Sequence, residues 1–427
     1  MAYIERILKR VFFVYIAGVI ALMASAADPT ATKYSYRECG GSLRPYPAPE
    51  KYSYPDTLTP VFIYHVGRHG SRYPAGSGTT LGLIKVLRQA DSLKTITPLG
   101  KQLLGTANEV VARVNGQWGA LDSLGMAEQR AIASRMYDRF KSLMSNARIE
   151  ALSSYSPRCI MSMYSFTHQL SRLNNQMEIT TSSGRQHSPL MRPFDVESDY
   201  NEYIQSGAWN EPYREFMEKT VPLTALRRVV GDKFPMDEID ARAAAMNEYY
   251  VIAGMGAMMM DVDESRYFSL AEYNALWSVF NLRQYLQRTS TTISTVPSEI
   301  ASPLLLDLIT SIQGVVDGKS MGIVKLRFGH GETLMPLLSL MHLDDCYYIT
   351  NYFDTVAMHW RDFDVVPMSA NLQIVLFRSA KGHYYVQALL NEAPVKLIKN
   401  VDKTIVSWEQ ARTYLNRCVP LYYQIAL

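Results

Sequence analysis

The run Val61-Phe62-Ile63-Tyr64-His65-Val66 passes directly into Gly67-Arg68-His69-Gly70-Ser71-Arg72-Tyr73-Pro74, and this stretch limits the possible folds more than any other. An apolar run without alternation reads as a strand covered on both faces of a sheet, the pattern of helices packed on both sides of parallel strands. Two guanidiniums and an imidazole then fall within five residues, where the strand has to stop. The flanking glycines let the backbone turn sharply and approach a ligand closely. Arginine suits phosphate because its planar fork gives two parallel charge-assisted hydrogen bonds. An imidazole held between two such forks is placed to attack phosphorus as a nucleophile.

Two later strand ends carry related chemistry. Arg148 to Tyr155 reads as a strand that ends in Ser156-Pro157-Arg158-Cys159, and a helix with Met161, Tyr164, Phe166 and Leu170 follows. Arg158 therefore stands at a helix start, where free N–H groups and a partial positive charge favour phosphate. Met321 to Phe328 reads as a strand running into Gly329-His330-Gly331-Glu332-Thr333-Leu334. Ligands of open α/β sheets bind beyond the carboxyl ends of the strands. Groups far apart in sequence can converge there. A zinc-protease reading of His330 and Glu332 fails, because the order is His-Gly-Glu and no second His follows at four residues.

The segment Arg68 to Pro74 resembles the RHGxRxP signature of the histidine acid phosphatases, a branch of the histidine phosphatase superfamily. Five fixed residues should match by chance in only on the order of one chain in ten thousand. Leu121-Asp122-Ser123-Leu124-Gly125-Met126 is similar to the L-T-x-x-G approach to a helix in that family. His330-Gly331-Glu332 resembles the His-Ala-Glu of the multiple inositol polyphosphate phosphatases, with Gly331 in place of Ala and the spacing of Glu332 kept.

The resemblance implies a mixed, mainly parallel α/β sheet flanked by helices, with a smaller all-helical domain inserted. It also implies an exported phosphomonoester hydrolase acting on inositol polyphosphates such as inositol hexakisphosphate. In that mechanism Arg68, Arg72, Arg158 and His330 bind the phosphoryl oxygens and stabilise their charge. His69 forms a phosphohistidine, and protonated Glu332 donates to the leaving alkoxide. No metal or other cofactor is implied, since the guanidiniums supply the positive charge and no His/Asp/Glu cluster has ligand spacing. A broad-specificity acid or sugar phosphatase, a mutase-like phosphotransferase and a phosphate-ester binding protein without chemistry remain as alternatives. Retention of both His69 and a candidate acid speaks against the last.

The chain of 427 residues is 48% hydrophobic and 19% charged, which suits two or three folded domains or one large domain with an insertion. Arg6, Lys9 and Arg10, the uncharged run Val11 to Met23 and Ala24-Ser25-Ala26 form a signal-peptide pattern over 1–26. We expect cleavage near Ala27, export to the periplasm or medium, and no stable membrane insertion afterwards. Removing that segment takes away three basic residues and one acidic one, so the net charge falls from +3 to +1. Nothing in this balance points to nucleic acid; the expected partner is a small phosphomonoester, bound by a monomer.

Residues 27–194 and 298–427 read as the α/β domain and 195–297 as the helical insertion. Within them, Ala27 to Pro60 reads as an extended arm and Ala127 to Met144 as one long helix, with Arg130, Arg135 and Arg139 solvated. Thr180 to Pro193 reads as a loop, from which Arg185, His187 and Arg192 are candidates to reach a polyanionic substrate. Ser269 to Glu272 is a capping box. Asn371 to Arg378 and His383 to Leu390 form a hairpin. Cys39, Cys159, Cys346 and Cys418 allow up to two disulfides in an exported chain, with buried free thiols as the alternative.

Overall fold

The structure, a computed structural model, describes residues 34–47, 49, 52–320 and 323–425. The signal-peptide pattern over 1–26 lies outside them. Among the described residues, eight strands form one mixed sheet in the order β3-β2-β4-β1-β5-β6-β7, with β8 also paired to β6. They are β1 (Leu58–Arg68), β2 (Arg148–Ser153), β3 (Ile179–Ser183), β4 (Ile323–Gly329), β5 (Asn371–Ser379), β6 (Tyr384–Leu390), β7 (Ala393–Val395) and β8 (Ile405–Ser407). The neighbours β3, β2, β4 and β1 run parallel, and the expected β5–β6 hairpin continues the sheet antiparallel from β1.

The central strand has apolar side chains on both faces, as its unbroken hydrophobic run demands. Phe62, Tyr64 and Val66 pack on one side with α7 (Ser302–Val316), α8 (Gly331–Leu340) and α9 (Trp408–Cys418). Ile63 packs on the other with α3 (Ser123–Arg139) and α4 (Pro157–Leu173). Phe62 is fully buried, and cutting it back to Ala would cost about 3–5 kcal/mol. A separate core joins α1 (Gly78–Ser92) and α2 (Pro98–Val114) to α5 (Ala241–Gly254) and α6 (Leu270–Arg288). The segment 195–297 thus shares its interior with two helices from earlier in the chain. The capping box opens α6, with Ser269 and Glu272 each accepting from the other's backbone N–H.

Four local expectations are corrected. Thr180 to Pro193 is no loop: Ile179–Ser183 pairs parallel with β2, and a turn at Arg185–His187 and a short helix at Ser188–Met191 follow. As the sheet's edge, β3 buries little, so its β-branched Ile and Thr residues were its sole strand signal. The helix from Ser123 stops at Arg139, because Phe140 turns its ring into the core and stacks on Tyr54. On that helix Arg135 is not simply solvated; it grips buried Glu392 at 2.6 Å. The arm is extended in part only, since Glu38–Leu43 forms a buried turn.

The four cysteines are free. Cys39 sits in the helical core, Cys346 in the core beneath α8 and Cys159 against His330, so these three are held in separate surroundings. Among the described residues no helix is long and apolar enough to cross a membrane, and no group of three or more His, Cys, Asp or Glu is arranged to hold a metal ion.

Candidate active site

Register puts the three strand ends at one level. Arg68 lies opposite Gly329, and Ser153 opposite Phe328, so the chain leaves β1, β2 and β4 side by side. His69 N–H then donates to Gly329 O (3.0 Å), Arg68 N–H to Ala370 O (2.7 Å) and Ser369 N–H to His69 O (3.1 Å). These bonds fix the backbone on either side of the imidazole.

Helix α3 anchors the same loop from below. Buried Glu128 accepts from Ser71 N–H (2.9 Å), Ser71 Oγ (2.7 Å), Tyr46 N–H (2.9 Å) and Ser369 Oγ (2.8 Å). Gln129 Nε2 donates to Arg68 O (3.0 Å) and Ser369 Oγ (3.1 Å). The approach is this close because two glycines meet: a Cβ on Gly70 would lie 2.5 Å from Gly125 Cα, and one on Gly125 would lie 2.2 Å from Ser71 O. Neither Glu128 nor Gln129 was picked out from the sequence. A signal was there, since both fall on the stripe Gly125, Ile132, Ala133 and Met136 that faces the core. Charged or amide side chains on a buried stripe need specific partners.

His69 is buried, and its Nδ1–H donates to Gly70 O at 2.9 Å, which leaves the Nε2 lone pair free. Burial, reinforced by Arg68, Arg72 and Arg158, holds its pKa well below the usual histidine range, so the ring is neutral. Around it, the Nε atoms of Arg68, Arg72 and Arg158 are buried and have no hydrogen-bond partner among the described residues. Arg68 is aimed from behind, where Nη1 donates to Ser42 O (2.7 Å) and Val366 O (2.5 Å). Ser42 is placed by the buried turn of the arm, where Gly41 takes φ 58° beside the Asp362 carboxylate that accepts from Ser42 N–H at 2.8 Å. Burial pushes the Arg68 guanidinium down to about 10 and that of Arg72 to about 9, so both stay charged. Unpaired, desolvated donors of this kind are costly unless an anion completes them.

His330 caps α8 and lies edge-on to His69, ring centres 5.6 Å apart. Its Nδ1 is 3.1 Å from Arg158 Nη2, and burial takes its pKa down to about 3. Glu332 stands one residue into that helix. Burial favours its neutral form, yet Arg288 foremost outweighs this and holds the carboxyl at about 2. Arg288 Nη2 is 3.8 Å from Glu332 Oε1, and its buried Nε likewise has no partner among the described residues. Arg288 was not foreseen; it ends a helix with nothing local to mark it.

A cavity of about 360 Å³ opens from Arg72 and Glu332 toward the helical core, walled by Arg283, Arg288, Tyr250 and Phe280. Structure therefore brings His69, Arg68, Arg72, Arg158, His330 and Glu332 together. Arg192 joins them, with Nη1 at 2.8 Å from His330 Nε2. Arg185 is exposed and lies over the Tyr155 ring at 4.5 Å, while His187 bonds to Ser182 Oγ at 2.7 Å. Cys159, beside His330, gives its thiol proton to Gly329 O (3.1 Å); burial pushes it up to about 11, which keeps it protonated.

Comparison with known proteins bears on the family and the fold. Residues 62–391 match the model of the histidine phosphatase superfamily (branch 2). Multiple inositol polyphosphate phosphatase 1 of Homo sapiens is 26% identical over 399 residues, covering 84% of this chain and 79% of that one. The fold is similar to the Bifidobacterium longum multiple inositol polyphosphate phosphatase in complex with phosphate, with TM-score 0.73 and 16% identity over 88% of this chain and 97% of that one. It is also similar to the phytase from D. castellii, with TM-score 0.69 and 16% identity over 92% and 88% of the two chains. A family match spanning most of the chain, from the first core residue of β1 past the end of β6, makes this protein a member of the histidine phosphatase superfamily, branch 2.

Proposed function

We propose that the protein is an exported phosphatase that removes phosphate from inositol polyphosphates, inositol hexakisphosphate among them, through a phosphohistidine at His69. One observation carries this reading: a neutral imidazole with a free Nε2 lies beside Arg68, Arg72 and Arg158, whose buried Nε donors lack partners among the described residues. That is the arrangement a transferring phosphoryl group requires, a nucleophile in line and fixed positive charge around the equatorial oxygens. The relatives named above support the substrate class, and the basic, apolar and small-residue pattern of residues 1–26 supports export.

In this mechanism His69 Nε2 attacks phosphorus while the bond to the leaving oxygen breaks, and Glu332 gives that oxygen its proton. Water then attacks the phosphohistidine, Glu332 takes the water's proton, and phosphate leaves with His69 restored. Arg68, Arg72, Arg158 and His330 hold the phosphoryl oxygens throughout. Quenching in base after milliseconds with labelled inositol hexakisphosphate should trap an acid-labile, base-stable phosphoenzyme that His69→Ala does not form. Labelling of His69→Ala, or turnover by the wild type with no trapped species, overturns the mechanism.

The cavity supports a second substrate reading. Tyr250, Phe280, Val110 and Val251 give it an apolar wall, which suits aryl phosphates and hence a broad-specificity acid phosphatase. Phosphate release compared across inositol hexakisphosphate, sugar phosphates and aryl phosphates separates the two.

A further inference from the structure

Both ring nitrogens of His330 face guanidinium N–H groups. Nε2 is 2.8 Å from Arg192 Nη1, and Nδ1 is 3.1 Å from Arg158 Nη2. A guanidinium can only donate, and a neutral imidazole has one acceptor nitrogen. The two contacts cannot both be hydrogen bonds. One side of the ring is satisfied, and on the other a ring N–H meets another N–H.

The bracing of the two arginines decides which side is which. Arg192 Nε and Nη2 donate to the two oxygens of Asp195 (2.6 and 3.1 Å), and Tyr155 OH donates to the same carboxylate (2.7 Å). The Arg192 guanidinium also lies between the rings of Tyr155 (4.9 Å) and Phe194 (4.8 Å), and Phe194 meets His330 edge-on. It is held by a carboxylate and two rings, and its contact with the imidazole is the shorter. Arg158 has a buried Nε without a partner among the described residues and makes the longer contact. Ser154 Oγ, 3.1 Å from Nε2, can donate to the same lone pair. The Cys159 thiol does not compete, because its proton goes to Gly329 O.

We propose that Arg192 is a positioning residue: by donating to Nε2 it holds His330 in the tautomer protonated at Nδ1 and so turns a ring N–H toward the anion site. Nδ1–H and the Arg158 N–H then point into one space, and a phosphoryl oxygen placed there accepts from both. His330 contributes a neutral donor in this way, without adding a positive charge beside His69. The inference rests on the phosphatase reading of the site. It moves Arg192 from the substrate contact suggested by the sequence to a residue that acts through His330.

The tautomer is read directly by nitrogen–proton NMR on protein labelled with ¹⁵N-histidine, without substrate or turnover. Wild-type His330 should show a protonated Nδ1 and a bare Nε2. Arg192→Met should shift it toward Nε2–H and weaken binding of inorganic phosphate about 10-fold, and Arg192→Lys, which keeps one donor, should restore part of both. Phosphorylation of His69 should slow by about 10–100-fold in Arg192→Met with inositol hexakisphosphate and with p-nitrophenyl phosphate alike, somewhat less than removal of an oxyanion donor outright. A wild-type His330 protonated at Nε2, or a tautomer unchanged in Arg192→Met, overturns the proposal. So does a loss confined to KM for the polyphosphate, which marks a contact with a distal phosphate. If the tautomer follows Arg192 while His69 is never labelled, the positioning role stands and the phosphohistidine falls.

Discussion

Glu332→Gln tests the acid–base half of the site, because it keeps the side chain's shape and removes its proton. Burial favours the neutral carboxyl, but Arg288, 3.8 Å away, outweighs it and holds the group at about 2. A general acid must carry a proton at the working pH, so bound substrate has to raise that value. A phosphoryl group among Arg68, Arg72 and Arg158 brings one to two negative charges to roughly 5 Å from the carboxyl. At an effective dielectric constant near 20 each charge is worth about 3 kcal/mol, or about 2 pH units. Glu332 is 39% exposed through the cavity, and solvent screening trims this to roughly 1–2 units per charge. A dianion therefore takes Glu332 to roughly 4–6 in the complex. The protonated donor is present below that pKa and is lost as pH rises through it, so wild-type turnover of inositol hexakisphosphate should fall over that window.

The leaving group sets the size of the effect. An inositol alkoxide is strongly basic and needs a proton as its bond to phosphorus breaks, whereas p-nitrophenolate departs without one. General acid catalysis is worth about 10²–10⁴-fold, which corresponds to about 3–5 kcal/mol of barrier. Glu332→Gln should slow phosphorylation from inositol hexakisphosphate by that factor and from p-nitrophenyl phosphate by less than about 10-fold. Quench-flow single turnovers on both substrates measure it. Equal losses would show a positioning role for Glu332, and no loss on either would place the acid elsewhere.

Three further outcomes follow from other residues. Glu128→Ala removes the acceptor of four hydrogen bonds and strands the buried Ser71 N–H; it should cost about 3–5 kcal/mol in denaturant unfolding and lower kcat, and an unchanged midpoint would refute the anchoring role. Gly331→Ala recreates the His-Ala-Glu form, and its methyl would meet nothing closer than 3.4 Å; stability should rise by about 0.4–1 kcal/mol with kcat retained, and a loss of either would show that the glycine is required. Buried Glu248 has no partner for either oxygen among the described residues, and burial pushes its pKa up to about 8. The folded state thus keeps a proton that the unfolded chain sheds above about pH 4.5, and stability should drop by up to about 5 kcal/mol as pH rises from 4.5 to 8. Glu248→Gln should remove that slope relative to wild type, and parallel pH curves for the two proteins would refute it.

The reacting groups were legible because each sits where a strand signal stops: His69 after β1, Arg158 after β2, His330 and Glu332 after β4. A strand buried on both faces announces itself in sequence, and a sheet's geometry then brings its carboxyl ends together. Groups that reach the site from elsewhere lacked such a marker. Arg288 closes a helix whose residues otherwise report only their own packing. Ser42 acts through a backbone carbonyl, which leaves no trace in residue type. Arg192 was singled out for its charge, and Phe194 and Asp195 follow it closely in sequence, but Tyr155 and His330 become its neighbours only once the fold brings the ends of β2 and β4 beside it. The edge strand was itself hidden, because its exposed residues are polar throughout.

Electrostatics explain why so much of the supporting structure is polar and buried. The Nε atoms of Arg68, Arg72, Arg158 and Arg288 around the site have no partner among the described residues, and each carries a desolvation cost of about 1–3 kcal/mol. No single local contact compensates for that; the loop is held by backbone bonds to β4 and to the chain before β5, by two hydrogen bonds from Ser71 to Glu128, which also ties in Tyr46 and Ser369, and by the contact of Gly70 with Gly125. A carboxylate such as Glu128 satisfies the loop from the far side without entering the anion site, so the guanidiniums remain unneutralised where phosphate binds. Glu332, by contrast, faces the site and is paired only loosely with Arg288. The two glutamates divide the work by position: one fixes the donors in place, and the other stays free to exchange a proton when the phosphoryl charge arrives.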